Sequence, residues 1–181
     1  MNQGLIPRRY AKALYKFALE KGKQLRVYAL MSKLEESYRL EPELQKVMSN
    51  PFIPAQDKRK LLCTASDMKD DDSVMADFLT LLTRNGRVDM MRDIALAYLD
   101  IYRQENNIHV VKVTSASPMS EADEQRLKSL IEKHLDGATM EYSSAVDPSL
   151  IGGFSVEVGN ERIDASISNE LKQLRLNLLS K

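Results

Sequence analysis

The stretch VDPSLIGGFSVEVGNERIDASISNELKQLRLNLL, Val146 to Leu179, decides how this chain is read. Phe154, Val156 and Val158 alternate with Ser155 and Glu157, the period of a half-buried strand. Gly159-Asn160 supplies a two-residue hairpin turn, and Ile163 falls in the return strand. Ile167, Leu171, Leu174 and Leu178 then recur at the spacing of an amphipathic helix that closes the chain. Gly152-Gly153 is followed by no Lys-Ser/Thr and belongs to no G-x-G-x-x-G. The pair therefore marks a bulge or a close backbone approach, not a phosphate loop. Nothing in the stretch reads as catalytic.

Upstream, His109 to Ser117 is rich in β-formers. Ser120 opens a capping box with Asp123 or Glu124, and a helix follows through Leu127, Leu130 and Ile131. Thr139 to Val146 makes a second strand. Residues 108–181 thus form an α/β domain. Before Asn106-Asn107, two residues poor at continuing a helix, the pattern is helical throughout. A first helix from Ile6 to Lys21 turns Ile6, Tyr10, Ala13, Leu14 and Phe17 inward, and Gly22 ends it. A second carries Val27, Leu30, Met31, Leu34 and Tyr38. Pro42 suits the first turn of a third, and Asn50-Pro51 breaks the chain. A fourth runs from Pro54 through Leu61, Leu62 and Ala65. Ser73 is the expected N-cap of a fifth that buries Val74, Phe78, Leu81 and Leu82 and stops at Asn85-Gly86. A sixth, from Asp89 to Glu105, buries Met91, Ile94, Ala95, Tyr98 and Ile101. The expected fold is a two-domain α+β protein: a six-helix bundle over residues 1–107, then a small α/β domain over 108–181 with a β-hairpin and a terminal helix.

The chain has 181 residues, with 26 Lys plus Arg balancing 26 Asp plus Glu. A dedicated nucleic-acid binder carries a basic surplus. Cys63 is the only cysteine, which excludes an internal disulfide and a cysteine metal cluster and fits a reducing compartment. No apolar run approaches the roughly 20 residues that span a bilayer. The basic N-terminus (Arg8, Arg9, Lys12, Lys16) has the character of a transit peptide, a membrane-surface helix or a first core helix. The stripe of Tyr10, Leu14 and Phe17 favours the last.

Four blocks in order carry a family likeness: RRYAKALYKFA (Arg8 to Ala18), FLTLLTRNGRVDMMRDI (Phe78 to Ile94), VTSASPMS (Val113 to Ser120) and VDPSLIGGF…VG…IDASI. Together they resemble the δ subunit of F-type ATP synthase and its mitochondrial relative, the oligomycin-sensitivity-conferring protein. Ala165 departs from the family's usual Gly in that last motif, which implies an ordinary backbone there. The resemblance implies a non-catalytic stator subunit, present once per complex, that links the catalytic head to the peripheral stalk and resists rotor torque. The N-terminal domain would hold the N-terminal segments of the α subunits, and the C-terminal domain the C-terminal ends of the b subunits. The protein would sit at the cytoplasmic face of the bacterial plasma membrane, peripheral to it through the complex.

A helix-in-groove contact needs an apolar stripe flanked by small residues. Ala11, Ala13, Leu14 and Ala18 on the first helix, with Ala76, Leu79, Thr80 and Thr83 on the fifth, supply one. On pattern alone such stripes read as ordinary core; the resemblance places the α-subunit contact on these two helices. Leu176 and Leu179 fall outside the main stripe of the terminal helix and are candidates for the b stalk, for core, or for single exposed positions. Charge is uneven: residues 1–30 hold seven basic side chains against Glu20, and 66–80 hold five acids against Lys69. Such patches orient partners, or are simply solvated faces.

No cofactor, metal or catalytic residue is expected. His109 and His134 lack ligand spacing and two histidines give little for a triad. Asp70 to Asp72 lacks the Gly and terminal Glu of an EF-hand loop. Cys63 lies near Lys58, Arg59 and Lys60, which would favour its thiolate, yet it equally suits a small buried position. The competing function is a peptide or nucleic-acid adaptor built on the C-terminal domain, a reading by fold analogy. Little basic clustering and no aromatic pair beyond Tyr142 and Phe154 argue against it.

Overall fold

A computed structural model describes residues 4–135, 137–159 and 161–172. The chain is an α+β protein whose contacts divide it into two compact units, with the division between Glu105 and Asn106.

The first unit is helical: α1 (Leu5–Glu20), α2 (Gln24–Leu40), α3 (Pro42–Ser49), α4 (Ala55–Ala65), α5 (Ser73–Arg84), a 3-10 turn (Val88–Met90) and α6 (Met91–Glu105). Local chemistry sets the breaks. Gly22 and Gly86 take positive φ, 63° and 62°, and the next amides return to the helix, Lys23 to the Ala18 carbonyl and Arg87 to that of Leu82. These are glycine-terminated C-caps. Pro42 stands in the first turn of α3, and Asn50 leaves that helix in an extended conformation.

Helix α1 packs chiefly on α6, and α6 also on α2. Val27, Leu30, Met31, Leu34 and Tyr38 of α2 are all buried, as are Met91, Ile94, Ala95 and Tyr98 of α6. Each large side chain so buried contributes roughly 1.5–3 kcal/mol. Tyr15, Tyr98, Tyr102 and Tyr28 form a chain of ring contacts, the last pair stacked at 4.2 Å.

Three expectations change here. Helix α1 buries Pro7, Ala11, Leu14 and Ala18, so the stripe of Ile6, Tyr10, Ala13 and Phe17 lies one face over, with Ile6 and Ala13 exposed. Small residues at 11 and 18 let the backbone approach its neighbours. Leu81 is 45% exposed, and Met75 and Leu79 take the core positions of α5. Ser73 is the first residue of α5 rather than its cap. Asp72 occupies the cap position without a side-chain cap bond, because its carboxylate is committed to Arg26.

The second unit contains β1 (Ile108–Ser115), α7 (Glu121–His134), β2 (Thr139–Val146), a 3-10 turn (Pro148–Leu150), β3 (Gly153–Val158) and β4 (Glu161–Ser166), followed by helix over 167–172. The strand order is β2-β1-β3-β4. The β1–β2 pair is parallel and needs a crossover, which α7 supplies. The β1–β3 and β3–β4 pairs are antiparallel. Ser120 caps α7, its hydroxyl accepting from the Asp123 amide and donating to the Asp123 carboxylate. Val111, Val113, Ile131 and Val156 form the core, with Leu127 and Phe154 against it. Leu130 is 64% exposed.

Candidate partner-binding surfaces

Side chains of α1 and α5 meet through Tyr10 and Phe78, whose rings make an edge contact at 6.4 Å. Beside that contact lies an open cleft of about 360 Å³ lined by Ile6, Arg9, Tyr10, Ala13, Leu81 and Arg87. The Tyr10 ring is fixed from two sides. Asn85 Nδ2 donates to its hydroxyl at 3.0 Å, and the Arg87 guanidinium lies 5.6 Å from its centroid, a cation–π arrangement. The Asn85-Gly86-Arg87 turn after α5 therefore positions the cleft's aromatic floor. The displaced α1 stripe and Leu81 supply its apolar walls.

The eight residues expected at this surface separate by depth. Ala11, Leu14, Ala18 and Leu79 are 1% exposed or less and belong to the interior of the unit. Ala13 and Thr80 are exposed, and Ala76 and Thr83 half-buried. The Thr80 and Thr83 hydroxyls donate to the Ala76 and Leu79 carbonyls one turn back. Of the eight only Ala13 lines the cleft. Ile6, Arg9, Tyr10, Leu81 and Arg87 were not singled out for it. For Ile6 and Tyr10 the signal was present in an apolar stripe on α1 wider than one buried face can use.

A second recess in this unit, of about 480 Å³, is lined by residues including Met48, Phe52, Lys58 and Val88. Phe52 is 92% exposed, while the Lys58 ammonium is occupied by the Met48 carbonyl.

The uneven charge is partly internal. Arg26 makes a two-pronged bond to Asp72, 2.8 Å from Nε to Oδ1 and 2.8 Å from Nη2 to Oδ2. The Lys69 amide adds a third bond, to Oδ2. The Arg26 side-chain bond, helped by the Lys69 amide, holds the Asp72 carboxyl below the usual carboxylate range.

In the second unit Val146, Ile151, Ile163, Ile167 and Leu171 are 45–68% exposed. Ile151 is held at φ 66°, a left-handed conformation that costs a β-branched residue energy. Gly153 has φ 77°, and a Cβ there would run into the Ala165 carbonyl oxygen; a Cβ on Gly152 would meet Ile167 Cδ1 at 2.6 Å. Gly153 thus marks a close backbone approach, while Gly152 makes room for the Ile167 side chain. Asp164 and Ser166 start the closing helix. The Ser166 amide and hydroxyl both donate to Asp164 Oδ1, and the Ser166 hydroxyl accepts from the Asn169 amide. Ala165 lies in β4 outside the positive-φ region. Leu174, Leu176, Leu178 and Leu179 lie outside the described residues.

Among the described residues no three His, Cys, Asp or Glu converge as metal ligands, and no helix is long and apolar enough to cross a membrane. Two units with separate cores, bearing apolar surface beside fixed charges, define a protein of the joint or adaptor class. The comparisons give the particular family. The model of the ATP synthase delta (OSCP) subunit family matches residues 6–178. ATP synthase subunit delta of Bacteroides thetaiotaomicron is 37% identical over 182 residues, covering 100% of this chain and 97% of that protein. The same subunit of Parabacteroides distasonis is 37% identical over 179 residues, covering 99% and 98%. A chain in the cryo-EM structure of the Toxoplasma gondii mitochondrial ATP synthase hexamer superposes with a TM-score of 0.75 over 97% of this chain and 98% of its own, at 22% identity, a likeness of fold. The chain belongs to the ATP synthase delta (OSCP) subunit family. It is a non-catalytic stator component of the membrane-associated ATP synthase, and the adaptor alternative gives way to that role.

Proposed function

We propose that the chain joins two partners, one through each unit. The helical unit, read as a six-helix bundle over residues 1–107, holds the N-terminal segments of the α subunits in the α1/α5 cleft. The α/β unit, residues 108–181, holds the C-terminal ends of the b subunits. One copy serves each complex, at the cytoplasmic face of the bacterial plasma membrane. Torque then loads two interfaces in series, so each must dissociate slowly. Engagement of one also raises the effective concentration at the other.

The observation that carries the α-subunit contact is the apolar wall of Ile6, Ala13 and Leu81, left open to solvent beside the ordered Tyr10 ring. A guest helix laid there buries apolar surface without disturbing Leu14 or Ala18 beneath. The exposed Ala13, flanked by longer side chains, gives it room to approach. Ala13→Glu should weaken binding of a peptide copying the α-subunit N-terminus by at least about tenfold, the scale of a central interface residue. The thermal midpoint should hold, because Ala13 is exposed. An unchanged calorimetric titration would place the contact elsewhere.

A further inference from the structure

Resting on that reading of the α1/α5 cleft, we propose that its guest is specifically an acidic amphipathic helix, whose carboxylates flank the apolar stripe and are bound by Arg9 and Arg87. Two of the six residues lining the cleft are arginines and none is acidic. Arg9 is exposed and Arg87 half-buried. Among the described residues neither enters an ion pair. Arg87 is instead held against the Tyr10 ring, so its guanidinium is oriented in advance while its capacity for a carboxylate stays unused. Planar guanidinium groups favour two-pronged carboxylate contacts.

The surrounding charge points the same way. The sole acid of α1 is Glu20, in its last turn and remote from Ile6 and Arg9. Arg8, Lys12 and Lys16 add positive charge along the helix. The acid of α5, Asp77, is spaced i,i+4 from Leu81 and so shares its face, about two turns before the Asn85–Arg87 turn. The cleft therefore has a basic pole where Ile6, Arg9 and Arg87 meet. A basic guest would be repelled there. An uncharged one would cover the arginines without compensating their lost water. An acidic one is steered in and fixed in register.

The test titrates the full-length chain with a synthetic peptide of the α-subunit N-terminus, at low and high salt, by calorimetry and stopped-flow. Arg9→Gln and Arg87→Gln should each weaken binding about fivefold, mostly through slower association, and the double variant should lose most of the salt dependence. Arg9→Lys should retain the salt dependence, and a peptide with its Asp and Glu changed to Asn and Gln should reproduce the double variant's loss. Equal thermal midpoints exclude a folding effect. If the double variant binds like the parent at low salt, the guest is purely apolar; the acidic-helix proposal falls and the α-subunit reading stands. If the parent chain does not bind the peptide, both fall. A dimer of the free chain that the double variant dissociates in sedimentation would assign the cleft to a second copy and overturn the proposal.

Discussion

Arg26 and Asp72 join the two charged regions of the helical unit, on α2 and at the start of α5. The Asp72 side chain is 3% exposed and that of Arg26 36%, so the pair is half-desolvated and the carboxylate is the group with most to lose. Because the folded state holds the Asp72 carboxyl below its ordinary value, its contribution is present above the unfolded pKa near 3.9. It is lost as pH falls through the lower folded value. Asp72→Asn should cost about 1–2 kcal/mol at neutral pH, toward the low end for a charge-assisted bond because Arg26 is partly solvated. The variant should also show a flatter loss of stability below about pH 4 than the parent, read by chemical denaturation across pH. This pairing was not legible in the sequence, where the two groups stand in separate charge runs. The α1 stripe was half legible. Ile6, Tyr10, Ala13 and Phe17 share helical spacing with Leu14, but so do Pro7, Ala11 and Ala18. Larger apolar residues drew the assignment inward. Close approach to the neighbouring helices selected the small ones, and the larger stripe became surface.

The elements of the second unit follow from local signals more directly. Strand β3, the Ser120 N-cap and the turn at Gly159 were all readable because period-2 alternation and side-chain caps act over a few residues. The signature around Gly152, Gly153, Asp164 and Ser166 folds the unit: it sets the β3–β4 approach and caps the closing helix. What identifies the family in this stretch therefore includes residues that fold it. Gly153→Ala combines a strained φ with a clash against backbone and should destabilise the second unit by about 2–3 kcal/mol. Thermal unfolding would register the loss, while α-peptide affinity stays at the parent value if the helical unit folds on its own core. Equal stability of the variant would remove the close-approach account. Leu130 stays exposed because α7 has more apolar positions than its buried face around Ile131 uses.

At the scale of the molecule, the chain divides into two units, each with its own core and its own exposed apolar surface. The sequence displayed the change of regime near Asn106-Asn107, since helical periodicity ends and β-rich segments begin there. It did not display which apolar residues stay uncovered, because exposure depends on helix rotation and not on spacing. The central claim is that one chain holds both partners at once. Sedimentation of the full-length chain, mixed with an α-subunit N-terminal peptide and a soluble segment of the b subunits, tests it most directly. The account predicts a ternary complex from which Ala13→Glu removes the α peptide and leaves b bound. Displacement of one partner by the other, or loss of b in that variant, would contradict it.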